Sequence, residues 1–223
     1  MPALDPRYVS ELYSAYASGR LSPAYALLVE TQAALRADIR QDVLHAEAIA
    51  GAMLEAEAGE PVAPNAFEKV LQAIDRRDET EDLAVAAAAR ASDSLSELLA
   101  LPEPVREHAL EAVRTSGWRR LTGGVSRLRL SHNPAVRAHL YRIRPGATVP
   151  VHSHRGEELT LVLTGGFSDQ GNRYGPGDLC RQTARDTHKP VADEDEVCFA
   201  LTVSEGGMTF KGLLGLIQKI AGQ

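Results

Sequence analysis

Gly146-Ala-Thr-Val-Pro-Val-His152-Ser-His154-Arg-Gly-Glu157-Glu158-Leu-Thr-Leu-Val-Leu-Thr-Gly165 decides how this chain is read. In extended backbone, side chains alternate between two faces, so His152 and His154 share one face. Two imidazoles on one face can share an ion. Glu158 opens a second alternating run, with Thr160 and Val162 on its side and Leu159, Leu161 and Leu163 on the other. A turn at Arg155-Gly156 is expected to return this run beside the first, so that three ligands converge from two neighbouring strands. Glu157 is the rival ligand, but spacing and strand direction favour Glu158. His188 is the fourth candidate, following the turn Tyr174-Gly-Pro-Gly-Asp178 that redirects the chain into another strand. Three nitrogens and a carboxylate suit a divalent transition metal such as Zn, Fe, Mn or Ni.

The surrounding chain, from Trp118 onward, keeps the two-residue period. Val125, Leu128 and Leu130 precede a turn at His132-Asn133-Pro134, and His139 to Ile143 alternates before Pro145-Gly146. Short alternating segments punctuated by Gly and Pro predict an all-β sandwich or barrel. His45, His108, His132 and His139 have no partners at ligand spacing and read as surface or satisfied core residues. Cys180 and Cys198 alternate with strand residues and read as small core side chains, with a redox role beside the metal as the alternative.

The N-terminal half has a different period. It is rich in Ala, Leu and Glu, with apolar residues at helical spacing: Leu12 and Tyr16, then Tyr25, Leu28 and Val29, then Ile49 and Met53. Ser22-Pro23 reads as a helix start and Gly19 as the end of the preceding helix. Glu55 to Pro64 is a break, after which Asn65 can cap a helix through Phe67, Val70, Leu71 and Ile74. The stretch from Arg76 to Leu101 reads as a linker or marginal helix, and Pro102 and Pro104 punctuate it. The expected organisation is an α+β chain: a helical domain over 1–75, a linker over 76–101 and a β-barrel domain over 102–223.

Composition narrows the function classes. The net charge of −6 over 223 residues argues against direct nucleic-acid binding, which needs a basic face. Two cysteines supply no disulfide framework, which points to a reducing compartment. Asp5, Arg7 and Glu11 interrupt the start where a signal peptide would be apolar, and no run approaches the ~18 apolar residues of a membrane span. A cytoplasmic protein with no membrane contact is expected.

Gly146, His152, His154, Glu158 and Gly165 fill every place of the first cupin motif, and Pro176, Gly177 and His188 resemble the second. The C-terminal half therefore resembles a cupin (jelly-roll) barrel. In the N-terminal half, Ala15-Tyr-Ala-Ser-Gly-Arg-Leu-Ser-Pro-Ala24 and Ala26-Leu-Leu-Val-Glu-Thr31 resemble the zinc-binding anti-sigma domain. With Trp118-Arg-Arg-Leu-Thr-Gly-Gly-Val125, Glu158 to Leu163 and Asp186-Thr-His188, nearly the whole chain resembles the ChrR type of anti-sigma factor. That resemblance implies regulation of transcription by sequestering an extracytoplasmic-function sigma factor. It also implies a zinc-binding cupin that senses an oxidative signal such as singlet oxygen or peroxide. Leu27, Leu28, Val29 and Leu35 are the candidate sigma contacts, although the same residues could form the domain's own core. The family's helical domain holds zinc through an N-terminal His and an H-x3-C-x2-C run; the matching positions here are Arg7, Gln32, Arg36 and Ile39, so none of its ligands is present.

The alternative is a metal-dependent cupin enzyme of dioxygenase or isomerase type, since a His3Glu site can leave coordination positions open. No catalytic residue is assigned. Arg142, Tyr141 and Arg173 could clamp a substrate but equally read as surface residues. The apolar tail Phe210-Lys-Gly-Leu-Leu-Gly-Leu-Ile-Gln-Lys-Ile220 is expected to pack on its own barrel or on a second subunit of a homodimer.

Overall fold

The computed structural model describes residues 4–75, 93–131 and 133–210. Three helices come first: α1 (Pro6–Ala17), α2 (Pro23–Leu35) and α3 (Ala37–Glu55), and residues 66–75 form α4. Two more precede the sheets, α5 (Asp93–Leu99) and α6 (Glu103–Thr115). Asp5 caps α1 by accepting the Arg7 amide at 2.9 Å, and Gly19 ends it at φ +67. Pro23 begins α2 as expected, but the Ser22 hydroxyl makes no capping bond. His132, residues 76–92 of the expected linker and the tail beyond Phe210 lie outside the described residues.

The strands are β1 (Arg119–Arg120), β2 (Val125–Arg129), β3 (Val136–Ile143), β4 (His152–His154), β5 (Glu158–Thr164) and β6 (Phe167–Asp169). They continue with β7 (Asn172–Tyr174), β8 (Leu179–Gln182), β9 (Thr187–His188), β10 (Val191–Ala192), β11 (Cys198–Glu205) and β12 (Met208–Phe210). One six-stranded antiparallel sheet has the order β1-β2-β3-β11-β5-β8, and two three-stranded sheets have the orders β10-β6-β7 and β12-β4-β9. This is the cupin barrel, preceded by helices.

The topology corrects one expectation. β4 does not lie beside β5: it pairs with β12 and β9, whereas β5 pairs with β11 and β8. The segment Arg155–Glu157 carries the chain from the small sheet to the large one. Its ends are held by Arg155 N donating to Gly207 O and Glu205 N donating to Glu157 O. The candidate ligands therefore meet across the barrel, from opposite sheets.

The large sheet has two apolar faces. Its inner face contributes Val125, Tyr141, Ile143, Val162, Cys180, Cys198 and Ala200 to the barrel core, so both cysteines are buried and unbridged there. Its outer face contributes Leu128, Leu140, Leu159, Leu161, Leu163 and Leu201 to a second core shared with Leu27, Leu28, Val29, Val105 and Ala109 of the helices. Helix α2 lies on β3, β5 and β11, and α6 on β2. Leu28 and Val29 are 0% exposed, Leu27 is buried and Leu35 is half-buried. In α5, Leu98 is buried and Glu97 makes a two-point ion pair with Arg142 of β3, at 2.6 and 2.7 Å.

The helical face away from the barrel differs. Ile49, Met53 and Leu54 of α3 are exposed, as are Phe67, Val70, Leu71 and Ile74 of α4. An open groove of about 750 Å³ runs between α1 and α3, lined by Val9, Tyr13, Ala46, Ile49 and Met53 among others. No helix among the described residues is long and apolar enough to cross a membrane.

Candidate metal centre

β4 turns His152 and His154 into the barrel, β9 places His188 opposite His152 in register, and β5 brings Glu158 from the other sheet. All four are buried, at 2–6% exposure, and their ligand atoms lie within 4.8 Å of one another. Glu158 shares its face with Thr160 and Val162, as the alternation predicts, while Leu159, Leu161 and Leu163 pack outward. Glu157 faces away from this group: it is bound to Arg181 and accepts from the Tyr8 hydroxyl of α1 at 3.1 Å.

The hydrogen bonds around the group orient its donors. His152 Nδ1–H donates to Pro150 O at 2.8 Å, and His188 Nδ1–H donates to Asp169 Oδ2 at 2.7 Å. Each bond fixes the tautomer that leaves an Nε2 lone pair for an ion. Nε2 of His154 and Nε2 of His188 approach to 2.9 Å, and His154 Nδ1 is buried without a hydrogen-bond partner, 3.5 Å from Glu158 Oε2. Converging lone pairs and an orphaned ring nitrogen fit a divalent cation. Burial, then the neighbouring His188, pushes the pKa of both His152 and His154 down to about 4, so both are neutral near pH 7. Burial raises Glu158 to about 7, and a bound cation would hold it ionised.

Asp169 and Gln182 join the group without a motif in the sequence to mark them. Asp169 is buried, accepts the His188 Nδ1–H hydrogen bond and is itself held by Gln182 Nε2 at 3.2 Å. The alternation in Phe167-Ser-Asp169 gives the only signal, an acid on the apolar face of a short strand. Of the proposed substrate clamps, Tyr141 lines the small cavity at the metal group with Val149, Phe167, Thr160 and Thr202. Arg142 faces the helices and pairs with Glu97, and Arg173 is exposed and pairs with Asp193. His45 and His108 are exposed on helices and His139 is buried, so none of these joins the group.

Arg7, Gln32, Arg36 and Ile39 also have defined surroundings. Gln32 is buried, accepts from Tyr13 Oη and donates through Nε2 to Gly177 O in the β7–β8 turn, both at 3.2 Å. Arg36 lies against Gly177 and reaches Asp178 Oδ1 at 3.5 Å, and Ile39 packs against the shared core. Arg7 is exposed.

Fold and site together define a cupin with a His3Glu group suited to a metal ion, preceded by a helical half. Residues 106–206 match the family model of the ChrR cupin-like domain. The anti-sigma-E factor ChrR of Cereibacter sphaeroides is 32% identical over 203 residues, covering 91% of this chain and 91% of that protein. The crystal structure of Rhodobacter sphaeroides SigE in complex with the anti-sigma ChrR matches with a TM-score of 0.66 and 30% identity, over 88% of this chain and 96% of that one. The chain belongs to the ChrR family of anti-sigma factors.

Proposed function

We propose that this protein sequesters an extracytoplasmic-function sigma factor in the cytoplasm and that its cupin, holding one zinc ion, biases release in response to an oxidative signal. The supporting observation is the match over 88% of the chain to an anti-sigma protein solved in complex with a sigma factor. Residues 1–75 are the sigma-holding unit and 102–223 the sensing barrel. His152, His154, Glu158 and His188 are the ligands, and zinc is the ion among Zn, Fe, Mn and Ni that family membership favours.

The sigma contact is assigned to α3, α4 and the groove between α1 and α3. Leu27, Leu28 and Val29 already face the barrel and serve to hold the helical half there, with Leu35 at the margin. Phe67, Val70, Leu71 and Ile74 form an i, i+3, i+4, i+7 stripe that is 45–71% exposed. An exposed apolar stripe on a helix suits a partner's apolar surface. Replacing Phe67 and Leu71 by Asp is expected to weaken capture of the sigma factor at least ~100-fold, since buried apolar anchors dominate such interfaces. Surface plasmon resonance would measure this. Undiminished affinity in that double variant would move the interface elsewhere. A metal assay on the His152→Ala/His154→Ala variant is expected to find the ion lost; stoichiometric metal there would overturn the ligand assignment.

A further inference from the structure

Strand register gathers four arginines on the inner face of the large sheet. Arg119 of β1 pairs with Arg127 of β2, which pairs with Tyr141 of β3, so the three side chains stand in one row. The adjacent row runs Arg129, His139, Thr202, Thr160 across β2, β3, β11 and β5. Arg137 stands two residues before His139 on the same face, with its guanidinium lying against Gly207. Arg119, Arg127 and Arg129 line a cavity of about 190 Å³ with Ser116 and Gly117.

What sets these arginines apart is their grouping on one face of one sheet. Arg36, Arg114, Arg142, Arg173 and Arg181 each pair with a carboxylate. Among the described residues, no carboxylate pairs with Arg119, Arg127, Arg129 or Arg137. Burial, then the charges of Arg127, Arg129 and Arg137, drives the His139 pKa down to about 3. A concentrated positive face without a paired carboxylate, in a chain of net charge −6, suits an anion. An independent observation points the same way. Thr202 is 5% exposed, lines the cavity at the metal group, and its hydroxyl has no hydrogen-bond partner. It stands in the row that begins at Arg129 and lines the same cavity as Ile143, Val149 and Phe167.

We propose that Arg119, Arg127, Arg129 and Arg137 bind the carboxylate of a small organic acid whose apolar body passes Tyr141 and Thr202 toward the metal group. This site is separate from the surface assigned to the sigma factor. It makes the barrel a receptor for a metabolite as well as a metal site.

Calorimetric titration of the full-length protein with hexanoate at low salt is expected to show one saturable site per chain. Arg127→Gln with Arg129→Gln is expected to weaken it at least ~10-fold, with metal content and circular dichroism unchanged. Arg129→Gln alone, at an exposed position, gives a smaller loss and serves if the pair impairs folding. The His152→Ala/His154→Ala variant is expected to retain hexanoate binding; loss there, with binding intact in the arginine variants, would place the acid on the metal and overturn the proposal. Absence of saturable binding would overturn it too. Inorganic phosphate is expected to bind more weakly than hexanoate, and equal affinity would remove the organic body from the proposal.

Discussion

At the scale of single residues, Gln32 shows how one buried amide can tie the two halves together. Its side chain joins the Tyr13 hydroxyl to the Gly177 carbonyl, so one buried amide connects α1, α2 and the barrel. Gln32→Ala removes both bonds and leaves two partners unsatisfied. It is expected to cost ~1–3 kcal/mol in urea denaturation, and a neutral result would deny the contact its structural role. Glu158 supplies a pH test. In the metal-free protein its folded pKa, about 7, exceeds its ordinary value of 4.5. The folded state then binds the proton more tightly, so this contribution to stability is fully present below pH 4.5 and is lost as pH rises through 7. Glu158→Gln is expected to reduce the loss of stability between pH 5 and 8 in chelated protein, and an unchanged pH profile would contradict the assignment. The alternation in the sequence announced Glu158 and the two strand histidines. It could not announce Asp169, whose bond to His188 depends on how β6 and β9 meet.

At the scale of elements, the first motif owes its glycines to backbone geometry. Gly165 adopts φ +63 at the end of β5, and a Cβ there would lie 2.8 Å from the Val197 carbonyl oxygen. Gly165→Ala is therefore expected to destabilise the barrel by ~1–3 kcal/mol, readable as a fall in thermal midpoint; no fall would mean the turn relaxes freely. The strands were legible because their period is two residues. The partner of β4 was not, because alternation gives the face of a strand but not its neighbour. A tight turn at Arg155-Gly156 suggested a hairpin, whereas the chain crosses there between sheets. Helix periodicity behaves likewise: it marked apolar positions on α2, α3 and α4 alike, yet the barrel covers only those of α2.

At the scale of the whole molecule, the two halves share one core. The outward leucines of β5 and β3 meet Leu27, Leu28 and Val29, so the helical half is held by apolar burial and by Gln32 and Arg36. Coupling between barrel and helices has a physical route here, because Glu157, which accepts from Tyr8 of α1, directly precedes the metal-group residue Glu158. A signal that alters the barrel must favour bound and free states differently to release a partner. Nearly full-length similarity to an anti-sigma factor was legible in the sequence; the docking of the halves was not, because it depends on surfaces that meet only in three dimensions.

The most direct measurement is co-purification of the full-length protein with an extracytoplasmic-function sigma factor, followed by quantification of both chains and of bound metal. A one-to-one complex with one metal ion per anti-sigma chain is expected, and a complex that persists when His152→Ala/His154→Ala removes that ion. Failure to form a complex, or a second stoichiometric ion in the helical half, would contradict it.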